Sequence, residues 1–489
     1  ILFGLAPEIW FLHTVPEAFA LNHVVVAAIL MFSAPGSPVT GGRRMAALGL
    51  AAALGIAHHH MIILMAPLGF YGVYRSLGES RTEAWKLLTL GGGCLLLGFL
   101  PYGYLVWVTT FAPEAYHWGE VESWGELLDA FLRRDYGTFG LTHGGNRVTA
   151  LEQIRLLATE AGADLLYFPG LLAVAGIVVP AASVDGSRLE VGGVAETTAH
   201  LSLVGAWLLS GPFFVALIGR GISGSDYLHL RKFHAQFEMM TALFAAVGMG
   251  MLVTFISKRL LRRLILGATA TACIMTALPY LDDHTGPTVE DYLWDTVAPL
   301  PEGAVLIGDS DHRYFGIEYL QRVEGHRRDI RYIDTRLLGF DWHRGAIESE
   351  LDVESGAAPG ETRVGVLIRN LHEAGHAVFV THLFDPKLAD HWKVYPVGTT
   401  YRVIPRDEQA PPLVDVYERN RKLLQSFRVE PRPRIPETSW NHLVLTHYAL
   451  NWQAMAQQLE RAGAERRAKD AREVQRLFAP WMSGVRNGG

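Results

Sequence analysis

Long apolar blocks restrict this chain more than any other feature, and nearly all of them fall before Tyr280. The clearest are LLTLGGGCLLLGFLPYGYLVWV from Leu87, LLYFPGLLAVAGIVVPAA from Leu165, LSLVGAWLLSGPFFVALI from Leu201, FEMMTALFAAVGMGMLVTFI from Phe237 and LILGATATACIMTALPYL from Leu264. A shorter run spans Phe19 to Phe32, and Met45 to Tyr74 is long for one helix and short for two. A bilayer-spanning helix needs about 20 mostly apolar residues. Six or more such runs in one half argue against buried core helices of a large soluble protein. Hydrophobic residues make up 49% of the chain and charged residues 19%, the latter below the roughly 25% of an ordinary soluble domain. Charge is denser after Tyr280.

The sequence therefore predicts a multi-pass α-helical membrane domain over residues 1–282, with an external loop at 110–163. A small soluble α/β domain over 283–410 and a helical region over 411–489 follow. The net charge of -6 and the lack of a basic patch with interleaved aromatics argue against nucleic acid. Cys94 and Cys273 both lie in apolar runs and make neither a metal pattern nor a disulfide framework. The chain opens on Ile1 without a basic n-region, so no signal peptide is legible and an upstream element is expected.

Basic residues in short loops mark the cytoplasmic side. Lys258, Arg259, Arg262 and Arg263 place the loop before the last span inside, and everything after Tyr280 outside. Counting back puts Arg75, Arg81 and Lys86 inside. Arg43 and Arg44 are also inside if Met45–Tyr74 is two short helices with an outer turn, which sets His58–His60 near the outer face. The localisation expected is an inner, cytoplasmic membrane with the tail extracytoplasmic. Arg220, Arg231 and Lys232 then sit on the wrong side for the rule; they are either incidental surface charge or cations for a lipid phosphate. In the long outer loop, Trp124, Leu127, Leu128, Phe131 and Leu132 have helical spacing, as in a helix lying on the membrane surface. Its Trp and Tyr residues serve as interface anchors, as a carbohydrate platform, or as both.

The tail reads strand–helix–strand. Val305–Ile307 is a short buried run, Asp311 caps a helix ending at Gly325, and DIRYIDTRLL is the next strand. Farther on, HEAGH at His372–His376 is the H-E-x-x-H string of zinc peptidases, with His382 behind it. A zincin needs both histidines one turn apart on a sustained helix. Here Gly375 separates them and a β-branched run begins at once, so a zinc metallopeptidase is the minor alternative. Beyond Pro412 come a helix and then a hairpin whose Tyr448, Ala454, Leu459, Gly463, Ala468 and Pro480 roughly follow a tetratricopeptide unit. That hairpin can cap the domain or contact a protein partner.

Several short motifs occur in order: Glu17, Phe19 and Asn22 in TVPEAFALN; Pro101 and Tyr102; Trp118, Gly119, Arg134, Tyr136 and Gly137; then Tyr227, Arg231 and Phe233. In the tail, Gly308, Asp309, Asp311, Tyr319, Gln321, Glu324, Gly325, Arg328 and Asp329 complete the series. Together they resemble a family of multi-pass membrane glycosyltransferases, the bacterial branch of the DUF2723 family, whose eukaryotic relatives are protein O-mannosyltransferases of the GT-C class. The resemblance implies a GT-C-like bundle and a sugar donor carried on polyprenyl phosphate. It also implies a protein or glycan acceptor and an acidic first external loop, for which this chain has no counterpart. Arg231, Lys232 and Arg134 are the expected phosphate cations. Glu17, Glu120 and Asp135 are the carboxylates available as substitute bases, and Asn22, Tyr102, Trp118, Tyr136 and Tyr227 are further substrate contacts. Glu17 can equally make a structural hydrogen bond between helices. His58 and His60 can line the pocket, bind a divalent cation, or be ordinary interfacial histidines. A non-catalytic envelope scaffold and a lipid or glycan transporter are the rival classes; no paired inverted repeat supports the transporter.

The HEAGH reading yields the first prediction. Purified protein is expected to carry no stoichiometric zinc that His372→Ala removes, as measured by elemental analysis.

Overall fold

The structure, a computed structural model, describes residues 3–14, 18–80, 82–112, 119, 121–134, 148–179, 183–185, 188–190, 194–218, 227, 230–254, 256–284, 286–356, 362–382, 391–431 and 439–484. The chain divides into two compact units, Ile1–Asp282 and Asp283–Gly489.

The first unit is a helical membrane bundle. Its helices are α1 (Pro7–Thr14), α2 (Phe19–Ser33), α3 (Gly41–His58), α4 (Ala66–Glu79), α5 (Ala84–Gly98), α6 (Leu100–Phe111) and α7 (Trp124–Leu132). After them come α8 (Ala150–Asp164), α9 (Phe168–Val178), α10 (Val194–Leu208), α11 (Phe214–Ile218), α12 (Ala235–Thr254) and α13 (Arg259–His284). A small antiparallel hairpin of β1 (Ser183–Asp185) and β2 (Arg188–Glu190) precedes α10. Among the described residues, five continuous helical segments are long and apolar enough to cross a membrane: His60–Glu79, Ala84–Phe111, Glu196–Ile218, Lys232–Thr254 and Arg259–Leu278. Counting the bent pairs α1–α2 (113°) and α8–α9 (115°) as one span each brings the total to seven.

Two of the expected segments take particular forms. Met45–Tyr74 is a helical hairpin: α3 ends at His58, His59 is extended, and a 3-10 turn at His60–Met65 leads into α4. At the open end of that hairpin, opposite its turn, the buried Arg44 pairs with Glu79 at 2.7 Å, and Arg75 pairs with the same carboxylate. The run from Leu165, expected to be one span, gives a single helix, α9, of only 11 residues, which reaches a span's length only together with α8. Leu166 and Tyr167 both have positive φ, and Pro169 starts a new helix, so α8 and α9 meet at a sharp bend. Pro169 lacks the N–H that would continue α8 but suits the first turn of α9.

Helix contacts within the bundle rest on small residues. A Cβ on Gly176 of α9 would stand 2.1 Å from the Phe244 carbonyl oxygen of α12, and one on Gly248 2.0 Å from the Leu172 carbonyl oxygen. Gly49 of α3 approaches the Gly91 carbonyl of α5 in the same way, at 2.3 Å. With lipid as the alternative solvent there is little hydrophobic drive between helices, so close backbone approach supplies the packing.

The second unit is a layered α/β structure. Its helices are α14 (Thr288–Val297), α15 (Asp311–Arg322), α16 (Asp341–Leu351), α17 (Arg363–Glu373), α18 (Leu413–Leu424), α19 (Trp440–Arg461) and α20 (Glu465–Phe478). The strands are β3 (Val305–Gly308), β4 (Arg331–Asp334), β5 (Val378–Val380), β6 (Trp392–Val397) and β7 (Thr400–Pro405), in the order β4-β3-β5-β7-β6. β3 runs parallel to β4 and β5, whereas β7 is antiparallel to β5 and β6. Alternation along the strands sends Leu306, Tyr332 and Phe379 into a core with α14, α15 and the C-terminal helices. Val305, Ile307, Ile333, Val378 and Val380 face the other way, toward Ile347 of α16 and Leu367, Ile368 and Leu371 of α17. The helical hairpin α19–α20 turns at Gly463, φ +74°. It shares the first of these cores, through Leu445, Tyr448, Trp452 and Phe478. The Asp295 carboxylate ties the layer together by accepting from Arg428 N, Val429 N and the Tyr448 hydroxyl (2.8, 3.1 and 2.7 Å).

The glycine contacts can be tested directly. Gly176→Val is expected to force α9 off α12 and to destabilise the bundle by about 1–3 kcal/mol, the usual cost of overpacking. Gly250→Val, at a position with open space, is the control, and thermal unfolding in detergent reads both.

Candidate functional site

One end of the bundle gathers polar side chains that membrane helices seldom carry. Its centre is Arg231, in the short helical stretch before α12. The Arg231 side chain is 12% exposed. Its Nε lies 3.0 Å from Glu8 Oε2 on α1 and 3.2 Å from Glu160 Oε2 on α8, and Nη2 lies 3.6 Å from Asp164 Oδ1. The Nε contacts are within ion-pair distance without being aligned as hydrogen bonds. The Tyr227 hydroxyl donates to Glu160 Oε1 at 2.5 Å and its ring lies under the Arg231 guanidinium. Glu238, one turn into α12, is fully buried and sits against Asp164. Buried His234 is a near neighbour of Arg231. One guanidinium thus lies within ion-pair distance of three carboxyl groups, with Glu238 behind them. Charge inside a membrane bundle is costly and is kept where it pairs or works.

Apolar packing holds this cluster in place. Ile9 and Leu12 of α1, Phe19 of α2, Phe214 and Ile218 of α11, and Leu230 form one buried core beneath it. The α1–α2 bend and the π turn at Leu209–Phe213 with its internal Pro212 both fall near this end. Such interruptions free backbone groups, and polar side chains collect around them.

The core also links the Arg231 cluster to a second group of residues. The Phe19 ring contacts Phe233 (5.6 Å between centroids) and His59 (5.3 Å). His60 Nε2 donates to the Phe131 carbonyl of α7 at 3.0 Å, and the Phe131 ring meets Tyr102 of α6 at 5.5 Å. Arg133, in the left-handed C-cap of α7, lies within electrostatic reach of His59, His60 and Tyr102. α7 is the expected amphipathic helix, closed at its start by a Ser123–Glu126 capping box, with Trp124 85% exposed.

The residues singled out from sequence fall into distinct settings. Tyr227 and Arg231 are together at Glu160, and Lys232 is the next residue along, half-buried. His60 and Tyr102 meet at Phe131. His58 Nε2 donates to the Ala18 carbonyl at 2.8 Å. Asn22 is buried and donates to Gln236 Oε1 at 3.0 Å, and Gln236 donates in turn to Ser210 Oγ at 2.9 Å. Arg134 pairs with Asp129 at 2.6 Å on the exposed side of α7. Glu17, Trp118, Glu120, Asp135 and Tyr136 lie outside the described residues. Sequence reasoning missed Glu8, Glu160, Asp164 and Glu238. An isolated acid in an apolar run was a usable signal for Glu8 and Glu238, whereas Glu160 and Asp164 sit in a stretch that reads as an ordinary amphipathic helix.

HEAGH takes a form unlike a helix-borne zinc site. α17 stops at Glu373, and Gly375 has φ +84°. His372 Nε2 donates to the Val403 carbonyl at 3.0 Å while its ring stacks on Trp392. His382 lies 3.3 Å from Asp309.

Comparison with known proteins adds an independent line. The chain is 22% identical over 363 residues to protein O-mannosyl-transferase TMEM260 of Mus musculus, covering 70% of this chain and 49% of the mouse protein. It is 24% identical over 166 residues to protein O-mannosyl-transferase tmem260 of Dictyostelium discoideum, covering 31% of this chain and 20% of that protein. The aligned region thus spans about half the length of the mouse relative. No family model matches, and no solved structure matches. The chain is thus a multi-pass membrane protein with distant homology to O-mannosyl-transferase-like proteins.

The Arg231 cluster makes a clear demand on stability. Arg231→Ala leaves Glu8, Glu160 and Asp164 uncompensated and is expected to cost about 3–5 kcal/mol, as for other broken buried pairs. Adding Glu160→Gln and Asp164→Asn is expected to restore part of that loss, measured as the unfolding midpoint of the detergent-solubilised protein.

Proposed function

We propose that this protein is a membrane glycosyltransferase of the GT-C kind, close to the DUF2723 type. In this reading it moves a sugar from a polyprenyl-phosphate-linked donor to a hydroxyl of a protein or glycan acceptor. The observation that carries the reading is the buried cluster of Glu8, Glu160, Asp164 and Glu238 around Arg231. It occurs in a bundle whose distant relatives are named protein O-mannosyl-transferases. Supporting it is the ring and histidine wall of Phe19, His59, His60, Phe131 and Tyr102 beside that cluster.

The reaction joins an acceptor oxygen to the sugar's anomeric carbon as the bond from that carbon to the donor phosphate breaks. The hydroxyl proton must go to a base as the new bond forms. Glu8 is the base in this reading, with Arg231 as the positioning residue that fixes its carboxylate. Glu17, Glu120 and Asp135 are the other carboxylates proposed for the same role. The departing lipid phosphate gains charge, which Lys232 and Arg134 offset. Because Arg231 is already surrounded by acids, its proposed contribution is to order them rather than to bind phosphate. Trp118, Tyr136, Tyr102 and Asn22 are proposed sugar or donor contacts. The basic run Lys258–Arg263 supports an inner-membrane orientation in which the unit after Asp283 is extracytoplasmic. The apolar cavity of about 540 Å³ lined by Met239, Leu243, Met249 and Leu266 has the chemistry of an isoprenoid chain.

Membranes containing the protein and a labelled polyprenyl-phosphate sugar test the proposal. Glu8→Gln, which keeps the side-chain shape, is expected to slow release of sugar from the lipid by about 10²–10⁴-fold, the usual yield of a general base. Lys232→Ala with Arg134→Ala is expected to weaken donor use as well. Release that persists at the wild-type rate in all three positions' variants sinks the site.

A further inference from the structure

The unit Asp283–Gly489 carries a second polar site that the membrane chemistry does not use. Strand order β4-β3-β5 makes β3 the point where the parallel part of the sheet reverses its growth. The chain leaves β3 through α15 to β4 on one side, then passes through α16 and α17 to β5 on the other. Loops diverging from the carboxyl ends of such strands leave a crevice where ligands bind in open α/β sheets. Here those loops begin Asp309-Ser310 after β3 and Thr381-His382 after β5. The floor is tight: a Cβ on Gly308 would stand 2.3 Å from the Tyr332 hydroxyl.

Arg313 lies at this place and is 1% exposed. Its Nε donates to the Tyr292 hydroxyl at 2.8 Å and its Nη1 to Ser310 Oγ at 3.3 Å. Nη2 has no hydrogen-bond partner, and Arg313 makes no ion pair among the described residues. Asp309 acts on Arg313 electrostatically without contacting it, and the open Nη2 of so deeply buried a guanidinium is expensive, which points to a missing anion. A second observation falls on the same spot. Ser310 is the N-cap of the 12-residue helix α15, yet its side chain makes no capping bond to that helix and instead accepts from Arg313. The start of a helix is an anion-binding position, through its exposed N–H groups and its dipole.

The neighbours suit an anion as well. His312 and His447 stack 5.8 Å apart, and each has an unpartnered Nε2. Burial, reinforced by Arg313, holds His312 down at about 3 and His447 well below the ordinary imidazole range, so both are neutral donors or acceptors. The nearby carboxylates are already answered. Asp309 pairs with His382 at 3.3 Å, while Asp311 and Asp334 pair with Arg336 at 2.7 and 2.6 Å. Asp309 and His382, 35% and 44% exposed, form the outer rim.

We propose that this crevice binds a phosphate group, held by Arg313 and the first N–H groups of α15, with His312 and His447 as further hydrogen-bond partners. The proposal stands apart from the glycosyltransferase reading. The full chain in detergent, in phosphate-free buffer, is titrated with inorganic phosphate and, separately, with a short-chain polyprenyl monophosphate. Thermal unfolding and amide exchange are followed. Phosphate is expected to raise the midpoint and protect the amides of Ser310–Arg313, where chloride at equal ionic strength does neither. Response to both probes assigns a free phosphate class; response to the lipid alone assigns a headgroup; either supports the site. Arg313→Gln is expected to weaken binding at least tenfold. Because that variant can misfold, Ser310→Asp provides a second arm. Aspartate is a good N-cap and keeps the helix, but its charge repels phosphate, so the ligand-free midpoint holds while the phosphate shift disappears. If neither probe exceeds the chloride control, or if Ser310→Asp keeps the wild-type shift, the proposal is overturned.

Discussion

The arrangement of the bundle's polar end follows from one buried guanidinium. Arg231 draws Glu8 of α1, Glu160 and Asp164 of α8, and through Asp164 the wholly buried Glu238 of α12, into one cluster. Three helices far apart in sequence are thereby held at one end. In a low-dielectric medium none of these groups can be left alone. Beside the π turn around Pro212, Asn22, Gln236 and Ser210 hydrogen-bond in a chain, so these buried polar side chains answer one another.

Elsewhere, apart from the Arg44–Glu79–Arg75 ion pairs, close helix contacts in the bundle rest on shape. Gly176 and Gly248 let α9 and α12 touch backbone to backbone, and Gly49 and Gly91 do the same for α3 and α5. These contacts need rigid, close helices, which is the support a precisely placed acid requires. α13 is largely exposed within its unit, with Leu260, Leu264, Met275 and Leu278 turned outward, as expected of a span facing acyl chains.

The second unit is organised by different rules. Its strands alternate between two apolar cores, and its C-terminal helices share one of them. The H-E-x-x-H string dissolves into this architecture. His372 ends a helix and is tied to Val403, Gly375 turns the chain, and the residues after His376 form an interior strand. The polar group of greater interest lies at the carboxyl end of β3, where Arg313 has no motif to announce it.

Hydropathy and turn chemistry made much of the fold legible. Runs of about 20 apolar residues can only be buried or membrane-spanning helices. The βαβ unit, the Gly375 break and the α19–α20 hairpin were all readable from local spacing, because each depends on residues within a turn or two of one another, whereas the length of Met45–Tyr74 left one helix or two open. That the run from Leu165 yields only the short α9, bent sharply against α8, was not readable in this way. Composition cannot show that Tyr167 takes a positive φ before Pro169. Among candidate site residues, Arg231 stood out as a cation on the wrong side for the charge rule, and Tyr227 through the family resemblance. Which acids would be their partners was not legible, since ion pairing between residues 67 to 223 positions apart leaves no local pattern. By itself, then, the sequence determined which segments must leave water and where the chain must turn. Only tertiary structure decided which buried acids share one guanidinium, because that depends on how helices distant in sequence pack side by side.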